Sequence, residues 1–146
     1  MARVSTYLNF GGNAEAALNF YKTVFGTDYH GEIMRFSGMP PQEGRPALSE
    51  SEINMIMHAE LPILNGYVLM ACDVPGSMPV KLTVGNNSYI MLEPDTKEET
   101  RKIFGLLAQG ATIEQDLQEM FWGSLYGSLT DQFGVKWMFN CTEKTN

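Results

Sequence analysis

Residues 121–140, FWGSLYGSLTDQFGVKWMFN, decide how the rest of the chain is read. Leu125 and Leu129 stand among small and polar residues, and Asp131-Gln132-Phe133-Gly134 supplies a tight turn. Val135-Lys136-Trp137-Met138-Phe139 is then a dense run of β-formers. The segment predicts two short strands joined by that turn. Near the other end, residues 7–26, YLNFGGNAEAALNFYKTVFG, read as a strand, a Gly-Gly-Asn turn and an amphipathic helix closed by glycine.

Working outward, two helices are the easiest elements to place. The first is predicted over residues 14–25, with Asn13 as N-cap and Gly26 just past the end. Ala14, Ala17, Leu18, Tyr21, Val24 and Phe25 recur at helical spacing and form one apolar stripe. The second is predicted over residues 97–109. Thr96 and Glu99 have capping-box spacing, Glu98 and Glu99 suit the positive end of the helix dipole, and Gly110 closes it. Its stripe is Ile103, Phe104, Leu106 and Leu107.

Strands are predicted over residues 4–10, 29–36, 53–61 and 67–72, the last two joined by the hairpin signal Asn65-Gly66. Residues 88–93, 112–117, 124–130 and 135–141 complete the set. The order is strand, helix, three strands, and then the same again, an α+β arrangement of two βαβββ modules in a single domain spanning 1–146. The modules run over about 4–73 and 88–142. Between them, 74–87 is a linker holding Pro75, Pro79 and Gly85-Asn86. A second loop, 37–51, is punctuated by Met39-Pro40-Pro41 and Gly44-Arg45-Pro46.

Composition narrows the function classes. A net charge of −7 with scattered Lys and Arg leaves no basic patch for a nucleic acid or an anionic membrane. The opening MARVSTYLNFGG has no long apolar core, and no run approaches the ~18 apolar residues of a spanning helix. Cys72 and Cys141 form no CxxC pair and no disulfide framework, which suits free thiols in the cytoplasm. There is no P-loop, no GxSxG elbow and no GxGxxG spacing. Strands linked by hairpins also argue against a cofactor-binding methyltransferase.

The doubled βαβββ order, the His58-Ala59-Glu60 triplet and the segment Glu119-Met120-Phe121-Trp122-Gly123 resemble the vicinal-oxygen-chelate superfamily. That superfamily unites glyoxalases, bleomycin-resistance proteins and dihydroxybiphenyl dioxygenases, and the likeness is to its PhnB-like group. The resemblance implies that the modules' sheets curl into a cup. Its enzymes hold a divalent metal there, on side chains from the first and last strand of each module. Carried over, those positions fall at Thr6, within one residue, and at Met70, Tyr89 and Met138. None is a carboxylate or imidazole, so no metal and no cofactor are expected. Met70 and Met138 then become a ligand-adaptable floor or, equally, plain core packing.

Strand alternation places His58 and Glu60 on one face, as an imidazole–carboxylate pair or as a solvated structural pair. With Glu119 and Trp122 they complete a candidate ligand-binding set of His58, Glu60, Met70, Tyr89, Glu119, Trp122 and Met138. His30 reads as a surface residue. The leading expectation is a metal-free protein that binds an unidentified small organic molecule and pairs as a homodimer. The alternatives are a superfamily enzyme with a non-standard site (a lyase, isomerase or dioxygenase) and a structural or regulatory dimer without ligand.

Overall fold

The computed structural model describes residues 1–40, 43, 44 and 46–143; Pro41 and Arg45 of the predicted loop lie outside the described residues. The chain forms two compact units, residues 1–83 and 84–146, and their boundary falls inside the predicted linker. The first contains β1 (Thr6–Phe10), α1 (Ala14–Phe25), β2 (Met34–Arg35), β3 (Ile56–Pro62) and β4 (Val68–Asp73). The second contains β5 (Ile90–Leu92), α2 (Lys97–Leu107), β6 (Thr112–Glu119), β7 (Leu125–Thr130) and β8 (Lys136–Cys141).

The two sheets have the same topology, β1-β4-β3-β2 and β5-β8-β7-β6. In each, the first and last strands pair in parallel and the remaining neighbours are antiparallel. This is the α+β repeat read from the sequence.

Turn chemistry fixes the hairpins. Asn65 and Gly66 both sit at positive φ, 53° and 76°, and Tyr67 N–H closes on the Leu64 carbonyl. That is the primed turn whose twist matches a hairpin. In the second unit, Asp131 organises the β7–β8 turn: its side chain accepts from Phe133 N–H, Val135 N–H and the buried Trp137 indole N–H.

Both helices start where the sequence says, with different caps. Thr96 Oγ1 accepts from Glu99 N–H at 3.1 Å, as the capping-box spacing predicts. Asn13, in contrast, makes no side-chain cap bond. The carboxylate of Asp73, 61 and 59 residues downstream, accepts from Gly12 N–H and Ala14 N–H at 2.9 Å each. Its other oxygen accepts from Ile56 N–H, also at 2.9 Å. Asp73 is 3% exposed, so these amides have little water to fall back on.

Strand 29–36 of the sequence reading shrinks to Met34–Arg35. Gly31 adopts φ 78°, His30 N–H bonds the Glu60 carbonyl, and a 3-10 turn takes over at Phe36–Gly38. The predicted strand 53–61 begins only at Ile56, because Ser49 and Glu52 wind the preceding residues into a capped turn. Glu52 also accepts from Ser77 N–H and Oγ–H, and these bonds hold its carboxyl at about 2.

Side chains alternate along a strand, so residues in register share a face. Phe10, Ala59, Leu61, Leu69 and Ala71 are buried on the α1 side of the first sheet, against Leu18 and Tyr21. A fully buried leucine there is worth roughly 2 kcal/mol of transfer free energy. Trp137, Phe139, Leu129 and Leu92 do the same toward α2, where Phe104 meets Phe139 edge-on at 5.1 Å.

Asp73→Ala leaves these amides without an acceptor, and at about 1–3 kcal/mol per unsatisfied buried donor it is expected to cost roughly 3 kcal/mol or more. Asp73→Asn keeps one carbonyl acceptor and should cost clearly less. Urea unfolding of both variants checks the ranking; a loss below about 1 kcal/mol for alanine contradicts it.

Candidate functional site

The face of the first sheet turned away from α1 gathers most of the chemistry in its unit. Tyr7 of β1 is in register with Met70 of β4, and Met70 with Glu60 of β3. His58 lies two residues before Glu60 on the same face, and Cys72 two after Met70. Reaching across β4, Tyr7 Oη comes within 3.2 Å of His58 Nδ1. His58 Nε2 is 3.1 Å from Glu60 Oε2. Glu60 Oε1 then meets Arg3 at 3.2 Å and His30 at 3.6 Å. The result is a phenol–imidazole–carboxylate chain that ends on a cation.

Burial, with the neighbouring Cys72 thiol, pushes the Tyr7 phenol up to about 12. At neutral pH Tyr7 therefore keeps its proton. With a neutral imidazole, it donates to His58 Nδ1, and His58 Nε2–H donates onward to Glu60. His58 above all, with Arg3 and His30, holds the Glu60 carboxyl below its ordinary value. Burial raises the Cys72 thiol, which donates to Asn9 Oδ1 at 3.1 Å. The phenol oxygen, its proton given to the imidazole in a hydrogen bond, keeps lone pairs that can accept from, and orient, a polar group on a bound molecule.

The corresponding face of the second sheet carries a separate network. Tyr89 Oη–H donates to Glu114 Oε2 at 2.7 Å, and Lys136 Nζ donates to Glu114 Oε1 and to Thr130 Oγ1, both at 2.9 Å. Lys136 Nζ also stands 4.9 Å from the Tyr89 ring centroid. Lys136 pulls the Glu114 carboxyl down, and Glu114 in turn raises Lys136 and Tyr89. Met138 lies on this face, in register with Met91. Trp122, half exposed in the β6–β7 turn, packs edge-on to Tyr126 at 6.3 Å and to Phe121 at 4.9 Å.

The residues singled out in the sequence are thus only partly brought together. His58, Glu60 and Met70 share one face. Tyr89 and Met138 share another, which Trp122 reaches through Tyr126. Register refines three placements. Thr6, given within one residue, is in register with Leu69 on the α1 side, where its hydroxyl meets Tyr67 Oη at 3.0 Å, and its neighbour Tyr7, inside that margin, faces Met70. Met91, not Tyr89, is the partner of Met138. Glu119 is in register with the α2-facing Leu125 and pairs with Lys97 at 2.9 Å and Arg101 at 4.0 Å, away from Met138. Arg3, Glu114 and Lys136 were not picked out, although the period-2 pattern through Met138 contains the signal for Lys136. His30, read as a surface residue, is exposed yet reaches Glu60.

The profile of the Glyoxalase/Bleomycin resistance protein/Dioxygenase superfamily matches residues 3–139. The chain belongs to this superfamily. It is 30% identical to the protein YjdN of Escherichia coli (strain K12) over 97% of its own length and 96% of that protein's. Among solved structures, the PA1353 protein of Pseudomonas aeruginosa matches with a TM-score of 0.82 and 29% identity, covering 99% of this chain and 100% of that one. A PhnB protein from Bacillus cereus, provisionally named a 3-demethylubiquinone-9 3-methyltransferase, matches with a TM-score of 0.74 and 26% identity over 96% and 99%.

The resemblance places metal-ligand positions on β4 at Met70 and on β8 at Met138, and the parallel register shows what stands opposite each. Tyr7 faces Met70, and Met91 faces Met138. Divalent magnesium, manganese, iron, nickel or zinc seeks carboxylate and imidazole donors, whereas this set offers a protonated phenol and three thioethers. The donor set does not fit such an ion. Among the described residues, no group of three or more His, Cys, Asp and Glu is arranged to hold a metal, and no helix is long and apolar enough to cross a membrane.

The raised Tyr7 value gives a signed pH prediction. Folding is favoured by the protonated phenol fully below its ordinary value of 10.0, and that contribution disappears as pH rises to about 12. An ultraviolet difference titration of the parent against Tyr7→Phe should show one phenol ionising near 12. Ionisation near 10 contradicts the burial argument.

Proposed function

We propose that this superfamily member binds a small organic molecule without a resident metal ion, on the open face that holds Tyr7, His58, Glu60 and Met70. The observation that carries this reading is the Tyr7–His58–Glu60 chain lying beside the Met70 thioether. It provides directional acceptor oxygens on Tyr7 and Glu60 next to adaptable apolar surface, the usual make-up of a site for a polar-edged organic ligand. Tyr89, Met91, Met138 and Trp122 give the second unit's face a similar mix of aromatic and thioether groups. A cytoplasmic setting agrees with Cys72 and Cys141 being free thiols. The provisional methyltransferase name of the Bacillus cereus relative is not carried over, because the strands here are joined by hairpins and lack a glycine-rich nucleotide turn.

One observation favours a second reading, an enzyme with a non-standard site. A phenol hydrogen-bonded to an imidazole that is itself held by a carboxylate is a proton-relay arrangement. Compounds that bind and emerge chemically altered would select this reading.

A thermal-shift screen of a metabolite library separates these from a ligand-free role. At least one compound should raise the melting temperature of the parent and lose its effect in His58→Ala and Met70→Glu. Met70 is only partly buried, so Met70→Glu should fold, with a loss well under about 4 kcal/mol. A larger loss, or a library without a hit, favours the structural role. We also propose a homodimer, supported by Phe121 at 97% and Trp122 at 50% exposure, since such aromatic patches mark interaction surfaces. Light scattering should report about twice the chain mass of 16.3 kDa. A mass of one chain at tens of micromolar protein rejects the dimer.

A further inference from the structure

A cleft of about 310 Å³ opens in the first unit between the loop that follows β2 and the segment after β4, and it shares no residue with the Tyr7–His58–Glu60 face. Phe36, Met39, Leu48, Ile53 and Met78 supply apolar lining, and among the described residues Ser37 and Ser77 are the polar side chains. Pro40, Pro46 and Pro79 stand in its walls, each with a fixed φ.

The walls are tied together by hydrogen bonds. Ser37 N–H bonds the Ile53 carbonyl at 2.7 Å, Phe36 N–H bonds the Met55 carbonyl at 3.2 Å, and Met78 N–H bonds the Pro75 carbonyl at 3.0 Å. Glu52 clamps one wall to the other. It accepts from Ser49 N–H at 2.9 Å on one side and from Ser77 N–H and Oγ–H at 3.2 and 3.0 Å on the other. The clamp also occupies the Ser77 hydroxyl, which leaves little free polarity facing the cleft.

We propose that this cleft is a second binding site, for one neutral, flat, largely apolar molecule of about two fused rings. The size follows from volume: an apolar cavity of roughly 150 Å³ accommodates one benzene, and this one is about twice that. The neutrality follows from the lining. Among the described residues it contains no titratable side chain, so a charged ligand would be desolvated without a partner among them. Thioether, proline and phenylalanine surfaces suit the faces and edges of a ring system. Because its walls are tied before any ligand arrives, little ordering cost opposes binding.

The test uses the intact chain and 6-propionyl-2-(dimethylamino)naphthalene, a neutral two-ring dye whose emission shifts to the blue in apolar surroundings. Saturable binding of one dye per chain is expected. Ala47→Trp and Ser37→Trp, both at exposed wall positions, should fill the cleft and weaken binding at least tenfold, with melting curves confirming that each variant folds. Glu52→Gln should weaken binding several-fold by loosening the clamp. Either of two results overturns the proposal: no saturable blue shift, or a shift that survives both tryptophan variants and is lost in His58→Ala, which would put the dye on the open sheet face.

Discussion

The carboxylate of Asp73 ties together parts of the first unit that the chain alone would leave independent. From the end of β4 it reaches the turn into α1 through Gly12 and Ala14, and the start of β3 through Ile56. A buried carboxylate is tolerable only when its lone pairs are filled, and here backbone amides fill them. It fixes where α1 sits on the sheet, and with that which face of β1, β3 and β4 is left open. The position of Tyr7, His58 and Met70 on the open face is a consequence. The second unit repeats the connectivity with different devices. Thr96 caps α2, and Asp131 holds the β7–β8 turn and the Trp137 indole.

Local physics made most of this readable in the sequence. The helices announced themselves by their stripes and closing glycines, and the β3–β4 and β7–β8 turns by Asn65-Gly66 and Asp131…Gly134. Where the reading missed, a long-range contact had overridden a local signal. Asn13 looks like a cap, but Asp73 makes the cap bonds. Residues 29–33 look extended, but the Gly31 turn and the His30–Glu60 backbone bond take them out of the sheet. At the site the errors were of register. A parallel pair such as β1–β4 or β5–β8 is not joined by a hairpin, so no turn fixes which residues face each other. A one-residue slip then moves a side chain to the other face. The one residue of play left at Thr6 covers this difference, since Tyr7 faces Met70, whereas two residues separate Tyr89 from Met91. Glu119 failed for another reason: Lys97, on α2, is a partner that no strand periodicity reveals.

The two open faces use related chemistry. On one, a phenol hydrogen-bonds an imidazole that a carboxylate and a guanidinium hold in place. On the other, a phenol hydrogen-bonds a carboxylate that an ammonium neutralises. Charges of both signs are thus paired among themselves, and the methionines are left as the adaptable surface next to them. A site of this kind suits recognition of an organic molecule with one polar edge better than capture of a hard cation. Family membership sets the scaffold, whereas these particular side chains set the chemistry.

The central proposal is that the positions where the superfamily resemblance implies metal ligands hold phenol and thioether groups here. Elemental analysis of the protein purified without an affinity tag or chelator tests it most directly, with a titration of zinc, nickel, manganese and iron(II) into the same material. The account predicts far less than one metal ion per chain and no rise in melting temperature with any of the four. One tightly held ion per chain, accompanied by a clear stabilisation, would contradict it.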